Sequence, residues 1–222
     1  MLQDYCTCNN VGLTAVESKR CGENIGQVQI LAFENIYEKE SGLSTLANII
    51  VKSKWTAALN QYDAQTHALS STGKIQMSPE VKGCEQSGGD PILWGEDVKA
   101  NRMPEKVDDN PVQITVNFRG IKQEVARAID ALKCAAIAGN LGVYMFNTSG
   151  DVIGMDGTTT LDSFPVGYSN IAPRNLVKDE PDNNAFTFYI ERRFWDMMKK
   201  VALTKTEPST DGAWRGIDLL AV

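Results

Sequence analysis

Residues 112–118 read Val112-Gln113-Ile114-Thr115-Val116-Asn117-Phe118, and residues 141–154 read LGVYMFNTSGDVIG. In the first stretch apolar and polar residues alternate without a break. Val112, Ile114, Val116 and Phe118 therefore line one face of a half-buried strand. The second stretch is an apolar run, Leu141 to Phe146, a tight turn at Asn147-Thr148-Ser149-Gly150-Asp151, and an apolar return at Val152-Ile153-Gly154, which reads as a β-hairpin. Between the two, Gly120 lets the chain turn and Lys122 to Ala138 has helical spacing. Val125, Ala128, Ile129, Leu132 and Ala136 share one face, with Cys134 placed on the buried side, while Lys122, Glu124, Arg127 and Lys133 lie off it. Gly139 or Asn140 supplies the left-handed stop.

Working outward, Gln27 to Phe33 and Ala185 to Ile190 have strand character, as does the short Lys74-Ile75-Gln76-Met77 run that ends at Ser78-Pro79. Ser44 stands as an N-cap before Leu46, Ile49, Ile50, Ser53 and Ala57, which predicts a helix near 44–60. The β-branched run Ile49-Ile50-Val51 makes a strand the competing reading there. Residues 194–201 are open between strand and short helix. Residues 154–184 are rich in turns, with Pro165, Pro173 and Pro181. The sum is a mainly β chain of α+β class, a β-sandwich or barrel with one or two packed helices. It lacks β-α-β-α alternation, so a Rossmann-like fold is not expected. Residues 1–26 read as an extended, irregular arm, and 27–222 as one β-rich domain. Within that domain, 85–111 read as a long polar connection carrying Glu85, Asp90, Glu96, Asp97, Glu105, Asp108 and Asp109. The tail from Trp214 ends on Ile217-Asp218-Leu219-Leu220-Ala221-Val222, an apolar terminus with no evident intrachain partner.

Composition narrows function. The chain has 222 residues, 42% hydrophobic and 23% charged, which excludes collagen, coiled coil and wholesale disorder. Its net charge is −6 and it has no basic block, a poor match to a protein that grips nucleic acid. One histidine, His67, thins out hydrolase triads and imidazole chemistry. No P-loop, G-x-S-x-G or H-E-x-x-H is present. No apolar run is long enough to cross a bilayer, and the N-terminus lacks the regions of a secretory signal, so a reducing compartment is expected during folding.

The five cysteines are an odd number for a disulfide framework. Cys6, Cys8, Cys21 and Cys84 would supply four thiolates for zinc, although their spacing matches no standard finger; free thiols are the simpler reading. Cys84 with His67 would make a nucleophile pair, but the third, orienting group is missing. Gly83 to Gly89 carries no Lys or Arg and reads as a turn rather than a phosphate loop. Asp108-Asp109-Asn110 and Asp151 with Asp156 offer oxygens for a hard cation without EF-hand spacing, and solvated turn acids explain them as well. Phe186, Phe188, Tyr189, Phe194 and Trp195 read as core and interface rather than base-stacking platforms. Arg192-Arg193 and Lys199-Lys200 form a basic cluster that would meet solvent or an acidic neighbour. No enzyme constellation rises above this background, and no cofactor is implied.

The order of strand VQITVNF, glycine, helix ending ALKCAAIAGN, strand LGVYMF, turn NTSGD and return VIG resembles that of tail tube proteins of tailed bacteriophages. The helix near 44–60 with Trp55, the Lys-Ile-Gln-Met-Ser-Pro strand, the acidic stretch and the Cys- and Asn-rich start are similar too. Arg192-Arg193 and the apolar terminus have no counterpart in that pattern. The resemblance implies a sandwich or barrel with a packed helix, assembled as hexameric rings that stack into a tube. Such a tube belongs to the virion, is assembled in the host cytoplasm, meets other tail proteins, and lets DNA pass without reading it. Net negative charge suits that role, because a wall that does not hold phosphate lets a polyanion slide. On this view Asp90, Glu96, Asp97, Asp108 and Asp109 are lumen or loop acids, and Trp214, Ile217, Leu219, Leu220 and Val222 are interface residues. Other virion roles, a head–tail connector or a decoration protein, belong to the same class. A zinc or redox protein built on the Cys cluster is the alternative from a different class.

Overall fold

The structure, a computed structural model, describes residues 27–38, 43, 45–59, 62–63, 68–69, 74–94, 105–119, 123–171, 183–203 and 214–220. In chain order the strands begin with β1 (Val28–Asn35), followed by the helices α1 (Leu46–Ile49) and α2 (Lys52–Ala58). Next come β2 (Tyr62–Asp63), β3 (Ala68–Leu69), β4 (Ile75–Met77), β5 (Val81–Gly88), β6 (Pro91–Trp94), β7 (Glu105–Asp109) and β8 (Val112–Arg119). Helix α3 (Gln123–Ile137) leads to β9 (Leu141–Asn147), β10 (Asp151–Asp156), β11 (Leu161–Asp162), β12 (Phe164–Pro165), β13 (Tyr168–Ile171) and β14 (Asn183–Ile190). Helix α4 (Arg192–Trp195), β15 (Met198–Ala202) and a 3₁₀ turn at Gly216–Leu219 complete the described chain.

Two antiparallel sheets face each other, and the mainly β, α+β sandwich expected from the sequence is what forms. The larger sheet has seven strands in the order β11-β10-β9-β1-β4, with β12 also on β9 and β15 also on β10. The smaller has four, β13-β14-β8-β5. Between them lies the first core, where Phe33 of β1 meets Phe186 of β14 edge to face at 5.8 Å. Helix α3 adds Ile129 and Ala136 to this core and rests on β13 and β9.

The opposite face of the larger sheet is covered as well. Tyr144 and Phe146 of β9 point there, against Trp55 of α2 at 5.5 and 4.9 Å. Trp214 and Leu219 close the same second core. Every residue of β9 is therefore buried. This explains why LGVYMF has no alternation while VQITVNF does: β9 is covered on both faces and β8 on one.

Several expectations are corrected. The helix expected over 44–60 is two short helices, with Val51 extended between them. The β-branched run thus acts as a breaker, making neither one helix nor a strand. Two indole N–H groups cap the carbonyls beside the break: Trp55 Nε1 donates to Ile49 O at 2.7 Å and Trp214 Nε1 to Ile50 O at 2.9 Å. Ser44 lies outside the described residues, and the cap position of α1 is Thr45, without a side-chain bond. In α3, Ala128 and Cys134 are exposed rather than buried. The packed stripe is Ile129, Leu132, Ala135 and Ala136, and Cys134, two residues past Leu132, turns away from it. Gly139 does take the left-handed stop, with φ 71°.

The 85–111 segment is also corrected, since its described residues are mostly strand. Residues 83–88, read as a turn, belong to β5, and β6 pairs with β7 as a hairpin. A bulge at Lys82 hid β5 from a period-two reading, because Val81 and Cys84, three apart, both face the core. Residues 194–201 contain both elements, the end of α4 and then β15. The tail from Trp214 does have an intrachain partner, since Trp214 stacks toward Phe146 at 6.3 Å and Leu219 is buried beside it. The arm at 1–26 lies outside the described residues.

Candidate functional site

The pairing of β5, β8, β14 and β13 builds one outward face that the sequence did not single out. Across it run aligned rows: Glu85, Thr115, Thr187 and Asn170 in one, Ser87, Gln113 and Tyr189 in the next, Gly83, Asn117 and Ala185 in a third. These are the polar positions of the same alternation whose apolar positions fill the core. Thr115 and Thr187 share a hydroxyl–hydroxyl hydrogen bond of 3.0 Å, a cross-strand tie at the centre of the face. Glu85 is the one charged group in those rows. The face offers hydroxyls and amides and lacks the basic cluster that would hold phosphate.

The rim of this face is β5. One side pairs with β8; among the described residues no strand pairs with the other. From Glu85 to Gly88 the strand is exposed and carries neither Lys nor Pro. The β15 strand of the larger sheet differs. Its Lys199 and Lys200 reach Asp156 at 2.7 Å and Asp151 at 3.5 Å, and lysines on an edge strand discourage pairing with another chain. The hydrogen bond from Lys199 holds the Asp156 carboxyl below its ordinary range.

Beyond β5 the chain continues as the β6–β7 hairpin. Ile92, Leu93 and Val107 are exposed on it, Val107 to 65%. The acids expected here separate into two groups. Asp90, Asp108 and Asp109 gather at the hairpin base, where Pro91 faces Asp109 and Ile92 faces Asp108. Asp109 is salted to Lys106 at 2.6 Å, and Asp108 accepts the Asp109 N–H at 2.8 Å. Glu96 and Asp97 lie outside the described residues.

The candidate zinc ligands Cys6, Cys8 and Cys21 are likewise outside the described residues, as is His67. Cys84 faces inward from β5 against the first core. Burial, helped by the Glu85 charge, pushes its thiol up to about 11, so it stays protonated at neutral pH and is a poor nucleophile. No group of three or more potential metal ligands occurs among the described residues. Asp151 is a hairpin staple: its carboxylate accepts from Asn147 Nδ2 at 2.9 Å and its N–H donates to Asn147 Oδ1 at 2.8 Å. Of the proposed interface residues, Trp214 and Leu219 are buried within the chain, Ile217 packs against the second core and Leu220 is 40% exposed; Val222 is outside the described residues.

The class defined by these features is an antiparallel two-sheet α+β sandwich whose smaller sheet has a bare polar face and an open edge. No family model, curated protein or solved structure matches the chain.

Proposed function

We propose that the chain is a structural virion protein, the subunit of a phage tail tube, assembling with copies of itself into stacked hexameric rings around a DNA conduit. The open edge of β5 beside the polar face carries this reading. Lys82 and its bulge guard one end of this edge, but from Glu85 to Gly88 it has no strand partner among the described residues and no Lys or Pro, which makes that stretch a template for a strand from a second copy. Extending the four-stranded sheet in that way gives a continuous wall whose aligned rows are hydroxyls and amides with the Glu85 carboxylate among them. DNA passing along such a wall meets no array of cations and is not retained. The exposed apolar residues of the β6–β7 hairpin support contacts between copies as well. No catalytic role is assigned to any residue.

Negative-stain imaging of purified protein across a concentration series tests the reading, with rings or tubes as the expected result. A stable monomer at every concentration, above all one holding stoichiometric zinc, would overturn it. Edge pairing is tested by Glu85→Pro and Gln86→Pro. Successive N–H groups on a strand point to opposite sides, so one of these two spares the β8 ladder and blocks only the outer edge. That variant should keep its melting temperature and lose assembly.

A further inference from the structure

The β6–β7 hairpin does not continue the ladder of β5 and β8. It leaves the four-stranded sheet at one joint and forms a sheet of its own. The joint is Gly88-Gly89, with φ of 76° and 81°, values that L side chains rarely adopt. A Cβ at Gly88 would strike the Pro111 carbonyl oxygen on the returning strand. Across the joint the Asn110 N–H donates to Asp90 O at 2.9 Å. Two glycines in succession leave this crossing of the joint flexible, with the Asn110–Asp90 bond as its tie to the returning strand, so a side chain that grips the glycine backbone adds to what sets the hairpin's pose.

Arg192 meets the joint from α4. Its Nη1 donates to Gly89 O at 2.8 Å and its Nε to Asp196 Oδ1 at 2.6 Å, one turn along. The Arg192 side chain is 13% exposed while Asp196 is 47% exposed, so the bond to Gly89 O is the better shielded of the two. A planar guanidinium bonded at two points cannot rotate to follow a moving carbonyl. We propose that Arg192 is the latch of a hinge at Gly88-Gly89, fixing the angle at which the β6–β7 hairpin stands on the four-stranded sheet. Asp196 orients the guanidinium, and Gly89 O is the catch. With the latch open, the hairpin swings as a body and carries Ile92, Leu93 and Val107 with it. The consequence for contacts between copies rests on the tail-tube reading; the latch itself does not.

Amide hydrogen exchange on the unassembled full chain tests it. Arg192→Ala should raise exchange at Asn110, whose N–H closes the joint, by about tenfold or more, with the β6–β7 ladder, β8 and β14 unchanged. Arg192→Lys keeps the charge and the aliphatic stem, and so the fold, but lacks the fork; it should loosen the same joint. Unchanged protection of the Asn110 amide in both variants would overturn the latch. So would equal loss of protection in β8 and β14, which would make Arg192 a general packing residue. Imaging the same variants separates the two readings: a loosened hairpin with intact tubes leaves the latch standing and removes the hairpin from assembly.

Discussion

The two sheets are built alike and used differently. The seven-stranded sheet is covered on both faces, by the other sheet on one side and by α1, α2 and the Trp214–Leu219 segment on the other. The four-stranded sheet is covered on one face only, and its bare face is polar. Strands of the first are locked from both sides, and its β15 strand carries paired lysines. Those of the second keep a face and an edge open, at a cost in buried area. A sheet that gives up burial on one side has surface to spend on contact with something else. That contrast places the doubly covered strands in the larger sheet and the open face and edge in the smaller.

The contrast can be broken at several points. Phe33→Ala removes the ring that bridges the sheets and should cost about 4 kcal/mol in urea unfolding. Trp214→Ala should cost about 3 kcal/mol in the monomer, because it uncovers Phe146 and orphans the Ile50 carbonyl. An unchanged monomer melting temperature would return the C-terminal segment to a purely intermolecular role and leave the larger sheet covered on one face only. The buried Cys84 thiol gives a smaller effect. The folded pKa of about 11 lies above the ordinary thiol value of 9.0, so its contribution is complete below pH 9. It is lost as pH rises toward 11, because only the unfolded chain ionises in that window, on the order of 1–2 kcal/mol in total. Cys84→Ser should flatten that part of the pH profile. At neutral pH an alkylating agent should label Cys134, which is exposed, well before Cys84. Thr115→Val should be smallest in stability, about 0.5 kcal/mol, since its hydroxyl bond lies on the bare face. A cost several times larger would mean that this face is packed against something.

Much of the fold was legible because single strands and helices advertise their faces locally. The alternation in VQITVNF, the unbroken run in LGVYMF and the glycine stop at Gly139 all correspond to what forms. The helix over 44–60 was misread because Ile49-Ile50-Val51 satisfies helical spacing while its branched side chains resist a continuous helix. β5 was missed because the bulge at Lys82 shifts its phase and an outer strand needs few apolar residues. The candidate site was less legible. Its polar residues are individually ordinary, and only register brings Glu85, Thr115 and Thr187, from three distant segments, into one row.

The sequence by itself determined the class: a mainly β chain with a packed helix, acidic, poor in histidine and without the motifs of ordinary enzymes. Those properties are local or additive, so one chain read residue by residue suffices for them. Only the tertiary structure decided which strand faces are bare, which edge is open, that the C-terminal segment covers its own core, and that an arginine from α4 reaches the Gly88-Gly89 joint. Each of these depends on contacts between residues far apart in the chain, 103 positions for Arg192 and Gly89. Such contacts are selected by packing and register rather than by the preferences of neighbouring residues.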